Sequence, residues 1–304
     1  MTQISVRVPG STSNLGPGFD CFGLALNLYL TVRVRVVPDS PEPCRVTTTG
    51  PKENEVLPRN SVNLIYRAMS LAARREQLAL PSVELQVHNE IPLASGLGSS
   101  GAAIIAGIKL AGLIAGHDIP DQSIQDYATE FEGHPDNVAA ALFGGFLLSS
   151  VRGDGRVVSA KFDWPAHVRV VVVSPHTQLA THVARAALPR HVTRADAVYN
   201  LQRAALFTAA IAQQRYELLW EAMRDRLHQQ QRESLVPGLA EALALPHTPG
   251  LLGIALSGAG PSIIAFVDGN EREIGAQIES CFRAHQIEST VRTLDVDNDG
   301  CRVI

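Results

Sequence analysis

Lysine is almost missing from this chain of 304 residues, with three against twenty-three arginines. None of the three (Lys52, Lys109, Lys161) lies in a glycine-rich loop, which excludes a Walker A phosphate site, where lysine follows the last glycine. Four cysteines, Cys21, Cys44, Cys281 and Cys301, are scattered without metal-ligand spacing. They point to reduced thiols and a cytoplasmic location rather than a secreted disulfide framework. Ten histidines show no HExxH or other metal spacing, and only His134 falls near the segments singled out below. The longest apolar stretch, after Ser100, is broken by Lys109 and by glycines, so a buried helix is expected there and no membrane span. The opening "MTQISVRVPG" has no basic segment followed by an apolar core, so no secretory signal is expected. A net charge of −4 offers no general attraction to nucleic acid or an anionic membrane. An anionic ligand must therefore be held by local groups.

At 45% hydrophobic, the chain can bury a large core and exceeds the usual size of one domain. Two domains are expected, residues 1–152 and 153–304, joined in the charged, glycine-containing passage "SSVRGDGRVVSAKF". In the first half, residues 4–8, 28–37 and 83–87 read as strands, and 61–76, 101–115 and 121–133 as helices. In the second, strands are expected at 168–173, at "LLGIALSG", at "SIIAFV" and at "ESTVRTL". Helices are expected from about Asp196 to Leu227 and over "EREIGAQIESCFRAH". This alternation is α+β, with helices on one face of an antiparallel sheet.

The segment "VELQVHNEIPLASGLGSSGAA" (83–103) reads as strand, loop and helix. A helix N-terminus presents unpaired N–H donors and the positive end of its dipole, so phosphate binds there readily. Gly96, Gly98 and Gly101 permit close backbone approach, and Ser99 or Ser100 can cap the helix or ligate a metal. Alone, the segment also fits a small-residue cap before a core helix. Two further Gly/Ser/Pro segments read as loops, "PGSTSNLGPGFDCFGLAL" (9–26) after a strand and "LSGAGPSIIAF" (256–266) between two strands, and suggest one site approached from several sides.

In order and spacing, these three segments resemble the three motifs of the GHMP kinases. Within that family "NLGPGFDCFGLAL", "EGHPDNVAAALFGGF" and "LATHVARAALPRHVTRADAVYN" are most similar to the homoserine kinases. The resemblance implies a two-domain GHMP kinase fold, with an N-terminal α/β domain of ribosomal-S5-like type and a C-terminal ferredoxin-like α+β domain. It implies ATP and Mg²⁺ as cofactors, L-homoserine as the small-molecule substrate, and a family in which homodimers are frequent. The loop Pro92, Leu93, Ala94, Ser95, Gly96, Leu97, Gly98, Ser99, Ser100, Gly101, Ala102 would wrap the phosphates, with Asn60 on the adenosine side. Ser100 and Glu132 would hold the metal, although Glu130 competes for that role. Asp20 would read the ammonium, and Arg185 and Arg232 the carboxylate, with Asn14 and Gly258 also lining the substrate site. Asn137 and Thr181 would lie near the reacting hydroxyl.

Asp136 stands where a catalytic base would be sought, and either that role or a loop-fixing carboxylate fits. Homoserine kinases are thought to manage without a strong protein base, the γ-phosphate accepting the proton. Two other readings stay open from the sequence: another GHMP kinase of mevalonate type, or a catalytically silent relative that senses a metabolite.

Overall fold

The computed structural model describes residues 4–50 and 56–304. Two sheets form the frame. The first contains β1 (Ile4–Asn14), β2 (Gly18–Val36), β3 (Cys44–Thr49), β4 (Val83–Asn89), β5 (Phe146–Val151), β6 (Val157–Phe162) and β11 (Arg302–Val303). β2, at nineteen residues, pairs with three strands: β1 along most of its length, β5 over its first part and β4 over its last. Only β3 and β4 run parallel. The helices α1 (Leu64–Arg75), α2 (Ser99–Ala115), α3 (Asp121–Glu132) and α4 (Asp136–Phe143) accompany this sheet, and α2 is buried along most of its length, as its near-continuous apolar sequence requires.

The second sheet joins β7 (Arg169–Pro175), β8 (Leu251–Leu256), β9 (Ile263–Val267) and β10 (Ser289–Leu294) in the order β10-β7-β9-β8, all antiparallel. Helices α5 (Thr181–Ala186), α6 (Arg194–Ala212), α7 (Leu219–Ala222) and α8 (Leu239–Leu243) lie between β7 and β8, and α9 (Glu271–Ala284) lies between β9 and β10. This is the ferredoxin-like order that the resemblance implied. Among the described residues no helix is long and apolar enough to cross a membrane, and all four cysteines are free.

Three expectations change. The passage "SSVRGDGRVVSAKF" is the β5–β6 hairpin, with both strands in the first sheet. The division at 152/153 therefore runs between paired strands, and the second sheet begins only at Arg169. The chain's last strand, β11, also returns to pair with β1. One apolar core joins the two sheets: Phe207 of α6 lies 5.1 Å from Phe22 and 5.2 Å from Phe146, and Trp164 lies 4.7 Å from Phe266.

The helix expected over 196–227 stops at Ala212. Gln214 turns left-handed, and the Arg215 N–H donates back to the Ala210 carbonyl, which closes the helix end. Apolar periodicity continues beyond it because α7 packs into the same core in a new direction. Finally, the first Gly/Ser segment is no loop throughout: β1 runs to Asn14, and the turn is confined to Leu15–Pro17.

Candidate active site

All three glycine segments converge. The carbonyls of the glycine loop are taken up by its surroundings: Leu179 N donates to Ala94 O (3.3 Å), Ser262 N to Ser95 O (3.2 Å), Ser257 Oγ to Gly96 O (2.7 Å) and Ser11 N to Leu97 O (3.0 Å). In a trans peptide the N–H points opposite its C=O. The N–H groups of Ser95, Gly96, Leu97 and Gly98 are thus turned away from these partners. Gly98 caps α2 with φ 71° and no side-chain cap, which leaves the first-turn donors of α2 available to an anion.

Gly98 is fixed by packing as well. A Cβ there would stand 2.1 Å from Ser11 Oγ and 2.9 Å from Ser11 N. Gly98→Ala is therefore expected to lower stability and raise the KM for ATP about tenfold together. Gly116→Ala, at the open C-terminal end of the same helix with nothing within 4 Å, should leave that KM unchanged. ADP formation at varied ATP, with urea unfolding alongside, separates the two.

Across the cleft, Asn14 at the end of β1 and Asp20 near the start of β2 flank the β1–β2 turn, both with left-handed φ (67° and 55°). Asn14 Oδ1 accepts from Asp20 N (3.0 Å), and its Nδ2 donates to the Gly258 carbonyl (2.9 Å), so the first and third segments are tied by one side chain. Arg185 of α5 grips Asp20 with two nitrogens (3.0 and 2.5 Å). This hydrogen bonding holds the Arg185 pKa above its ordinary value.

Arg232 is only 1% exposed, yet no carboxylate among the described residues is paired with it. Its donors go to Ala184 O (3.3 Å), Gly258 O (3.0 Å) and His228 Nδ1 (3.0 Å). Burial, and then the charge of Arg185, push its pKa down to about 10. Both guanidinium groups lie over the Phe19 ring, Arg185 5.4 Å and Arg232 5.8 Å from its centre.

Ser100 at the start of α2 donates to the Glu132 carboxylate at the end of α3. Glu130 instead faces outward and pairs with Arg75 (2.5 and 2.6 Å). Asp136 is buried, and its Oδ1 receives Asn137 N (2.7 Å), Asn137 Nδ2 (3.3 Å) and the His134 ring (2.6 Å). Asn137 is further held by Ser11 Oγ (2.9 Å) and Ser13 Oγ (3.0 Å).

Residues 63–145 fit the family model "GHMP kinases N terminal domain" and residues 207–284 fit "GHMP kinases C terminal". A homoserine kinase of Deinococcus radiodurans is 44% identical over 264 residues, 87% of this chain and 84% of that protein. The chain belongs to the homoserine kinases of the GHMP kinase family. The homoserine kinase of Desulfitobacterium hafniense is 38% identical over 303 residues, 99% of this chain and 100% of its own. In three dimensions the crystal structure of a homoserine kinase from Cytophaga hutchinsonii matches with a TM-score of 0.87 and 28% identity, covering 100% of this chain and 98% of that one. Membership of a kinase family carries ATP use with it.

One cleft of this GHMP kinase brings together Asn14, Asp20, Pro92, Ala94, Ser95, Gly96, Leu97, Gly98, Ser99, Ser100, Glu132, Asp136, Asn137, Thr181, Arg185, Arg232 and Gly258. Four expected residues lie elsewhere. Leu93 lines a neighbouring apolar pocket with Leu30, Pro58, Val62 and Val87, which opens beside Ser99 and Ser100. Gly101 packs on Asn137, where a Cβ would meet that side chain at 3.3 Å, and Ala102 is core. Asn60 is separated from the cleft: it lines a groove with Arg45 and Thr47, and its Oδ1 accepts from Val62 N in a local turn. The capping of α1 falls to Asn63, whose Oδ1 accepts from Ile65 N.

Sequence reading gave no role to Phe19, His134 or Ser13, which also line the cleft. His134 stood within "EGHPDN" and Phe19 within "GPGFD", so adjacency to a motif was the available signal. For His134, burial works against the charged ring, but the hydrogen bond to Asp136 and the charges of Asp136 and Glu132 prevail and raise its pKa above the ordinary 6.5. A raised folded pKa stabilises the protein fully below the unfolded value, and that contribution is lost as pH climbs through the folded value. The stability difference between the wild type and His134→Gln, read from urea midpoints, should therefore be full below about pH 6.5 and shrink as the pH rises above it.

Proposed function

We propose that the protein transfers the γ-phosphoryl group of ATP to the side-chain hydroxyl of L-homoserine in the cytoplasm, supplying O-phospho-L-homoserine for threonine biosynthesis. The observation that carries this reading is the charge arrangement beside the glycine loop: a buried Arg232 that forms no ion pair with a carboxylate among the described residues, next to an Arg185–Asp20 pair, in one cleft. A free amino acid brings one carboxylate and one ammonium. Its carboxylate satisfies Arg232 and Arg185, its ammonium satisfies Asp20, and the ion pair within the protein is exchanged for the two ends of the substrate. Mevalonate has no ammonium and would leave Asp20 with nothing to read.

The outward-turned N–H groups of residues 95–98 and the first turn of α2 take the phosphates without a lysine. The apolar pocket of Leu30, Val62, Val87 and Leu93 suits the adenine base. The Ser100 hydroxyl and Glu132 carboxylate, already in hydrogen-bond contact, are hard oxygen donors of the kind Mg²⁺ prefers. When bound there, Mg²⁺ would neutralise charge on the transferring phosphates. Asn137 and Thr181 orient the hydroxyl. Its oxygen forms the new bond to phosphorus as the bond to ADP breaks. Asp136 Oδ1 is saturated by His134 and Asn137, which suits a carboxylate fixing the loop, and the hydroxyl proton passes to a γ-phosphate oxygen.

Incubation with ATP, Mg²⁺ and L-homoserine followed by phosphorus NMR tests this. One new phosphomonoester per ADP, assigned to O-phosphohomoserine, is expected. Intact ATP binding with no phosphorylated amino acid would favour a silent, sensing relative.

A further inference from the structure

His228 sits behind the substrate cleft, completely buried, on the segment between α7 and α8. Its Nε2 faces the carbonyl of Gly16, 2.8 Å away in the β1–β2 turn, and its Nδ1 faces Arg232 Nη1 at 3.0 Å. A carbonyl can only accept and a guanidinium can only donate. The ring must therefore carry its proton on Nε2 and present a lone pair on Nδ1. A charged imidazolium would turn an N–H onto Arg232, so the neutral form alone satisfies both neighbours. Burial acts in the same direction, holding the pKa below its ordinary value.

The ring is locked from its other sides too. Asp225 accepts from the N–H groups of Leu227 (2.9 Å), His228 (2.9 Å) and Gln229 (2.8 Å) and from Asn200 of α6 (2.7 Å), which fixes the turn on which His228 stands. Gln229 Oε1 holds Leu256 N of β8 (2.7 Å). Phe19 packs against the imidazole at 5.3 Å between ring centres.

The consequence falls on Arg232. Its Nη1 is spent on His228 and the Gly258 carbonyl and its Nε on the Ala184 carbonyl. Nη2 is the one guanidinium nitrogen that no described residue accepts from. We infer that His228 is a positioning residue for substrate recognition: as a neutral acceptor clamped to the β1–β2 turn, it fixes the plane of Arg232 so that Nη2 is presented to the substrate carboxylate. The same ring ties Arg232 to the turn that leads into β2 and Asp20, so the two ends of the amino acid are read at a set separation. This rests on the reading of Arg232 as a carboxylate-binding group.

The test is steady-state kinetics on Arg232→Lys and on three variants of His228, with urea unfolding of each. His228→Leu removes the acceptor, and His228→Asn keeps polarity but is too short to reach both Gly16 and Arg232. Each should raise the KM for L-homoserine about tenfold or more, with the KM for ATP within about twofold. His228→Gln, which can donate at one end and accept at the other, should recover most of the homoserine affinity. A purely structural role would shift both KM values together and would not discriminate Gln from Leu. If Arg232→Lys raises the KM for homoserine while neither His228→Leu nor His228→Asn does, the positioning role is overturned and the reading of Arg232 stands. If Arg232→Lys has no effect on it, that reading fails and the inference falls with it. Should His228→Leu not fold, His228→Asn and His228→Gln decide the matter.

Discussion

Replacing Glu132 with alanine is expected to lower kcat by about 10²-fold or more, the typical loss when one preorganised electrostatic group is removed from a transition state. Glu132 ends α3 within hydrogen-bond contact of Ser100, where the glycine loop becomes α2. The two oxygens come from different elements, yet they meet at the start of α2, where no side chain caps the helix. Glu130→Ala supplies the contrast. That carboxylate is engaged with Arg75 on the exposed side of α3, and surface pairs contribute little, so kcat should stay within about twofold. A large loss in Glu130→Ala with little in Glu132→Ala would move the metal ligand two residues back. Both variants should unfold close to the wild type in urea, since neither removes buried apolar surface.

Most of the cleft was legible in the sequence because its parts announce themselves locally. Gly96 and Gly98 really do adopt φ values of 81° and 71°, and Asn14 and Asp20, on either side of the β1–β2 turn, take the left-handed φ that their residue types tolerate. Choosing between Glu130 and Glu132 was beyond the sequence, since both lie on one helix and only the packing of α3 against α1 and α2 sends one outward to Arg75. Asn60 was placed on the adenosine side by resemblance alone; its neighbours Pro58, Val62 and Asn63 line the apolar pocket, while Asn60 itself lies in a local turn beside it. The domain junction misled for another reason. A charged glycine turn signals a change of direction, and a hairpin inside a sheet supplies that as well as a linker does. His228 gave no local signal at all: its partners, Gly16 and Arg232, are 212 residues and 4 residues away, and only the fold brings all three together.

The second large effect is expected at Asp20. In the structure Asp20 and Arg185 hold each other, and a substrate with two opposite charges can replace each partner for the other. Asp20→Asn keeps the shape but removes the charge. It should cost L-homoserine about tenfold or more in kcat/KM, the range for a charge-assisted hydrogen bond of roughly 1.5–3 kcal/mol. With the deamino analogue 4-hydroxybutanoate there is no ammonium to lose, so its kcat/KM should change much less. Freed from Asp20, Arg185 could even bind that carboxylate better. Arg185→Lys should act on the other end of the molecule: the charge remains but the planar fork is lost. The KM for homoserine should then rise while the KM for ATP stays nearly constant. Equal losses for homoserine and the deamino analogue in Asp20→Asn would show that Asp20 does not read the ammonium.

The measurement that bears most directly on the whole account is the ranking of acceptor alcohols by the wild-type protein, read as kcat/KM from coupled ADP release with L-homoserine, 4-hydroxybutanoate, mevalonate and a panel of sugars. An unpaired buried Arg232 beside an Arg185–Asp20 pair predicts that L-homoserine leads the deamino analogue by at least about tenfold, with mevalonate and sugars at background. Mevalonate or a sugar turned over as well as L-homoserine, or no advantage of homoserine over 4-hydroxybutanoate, would contradict it.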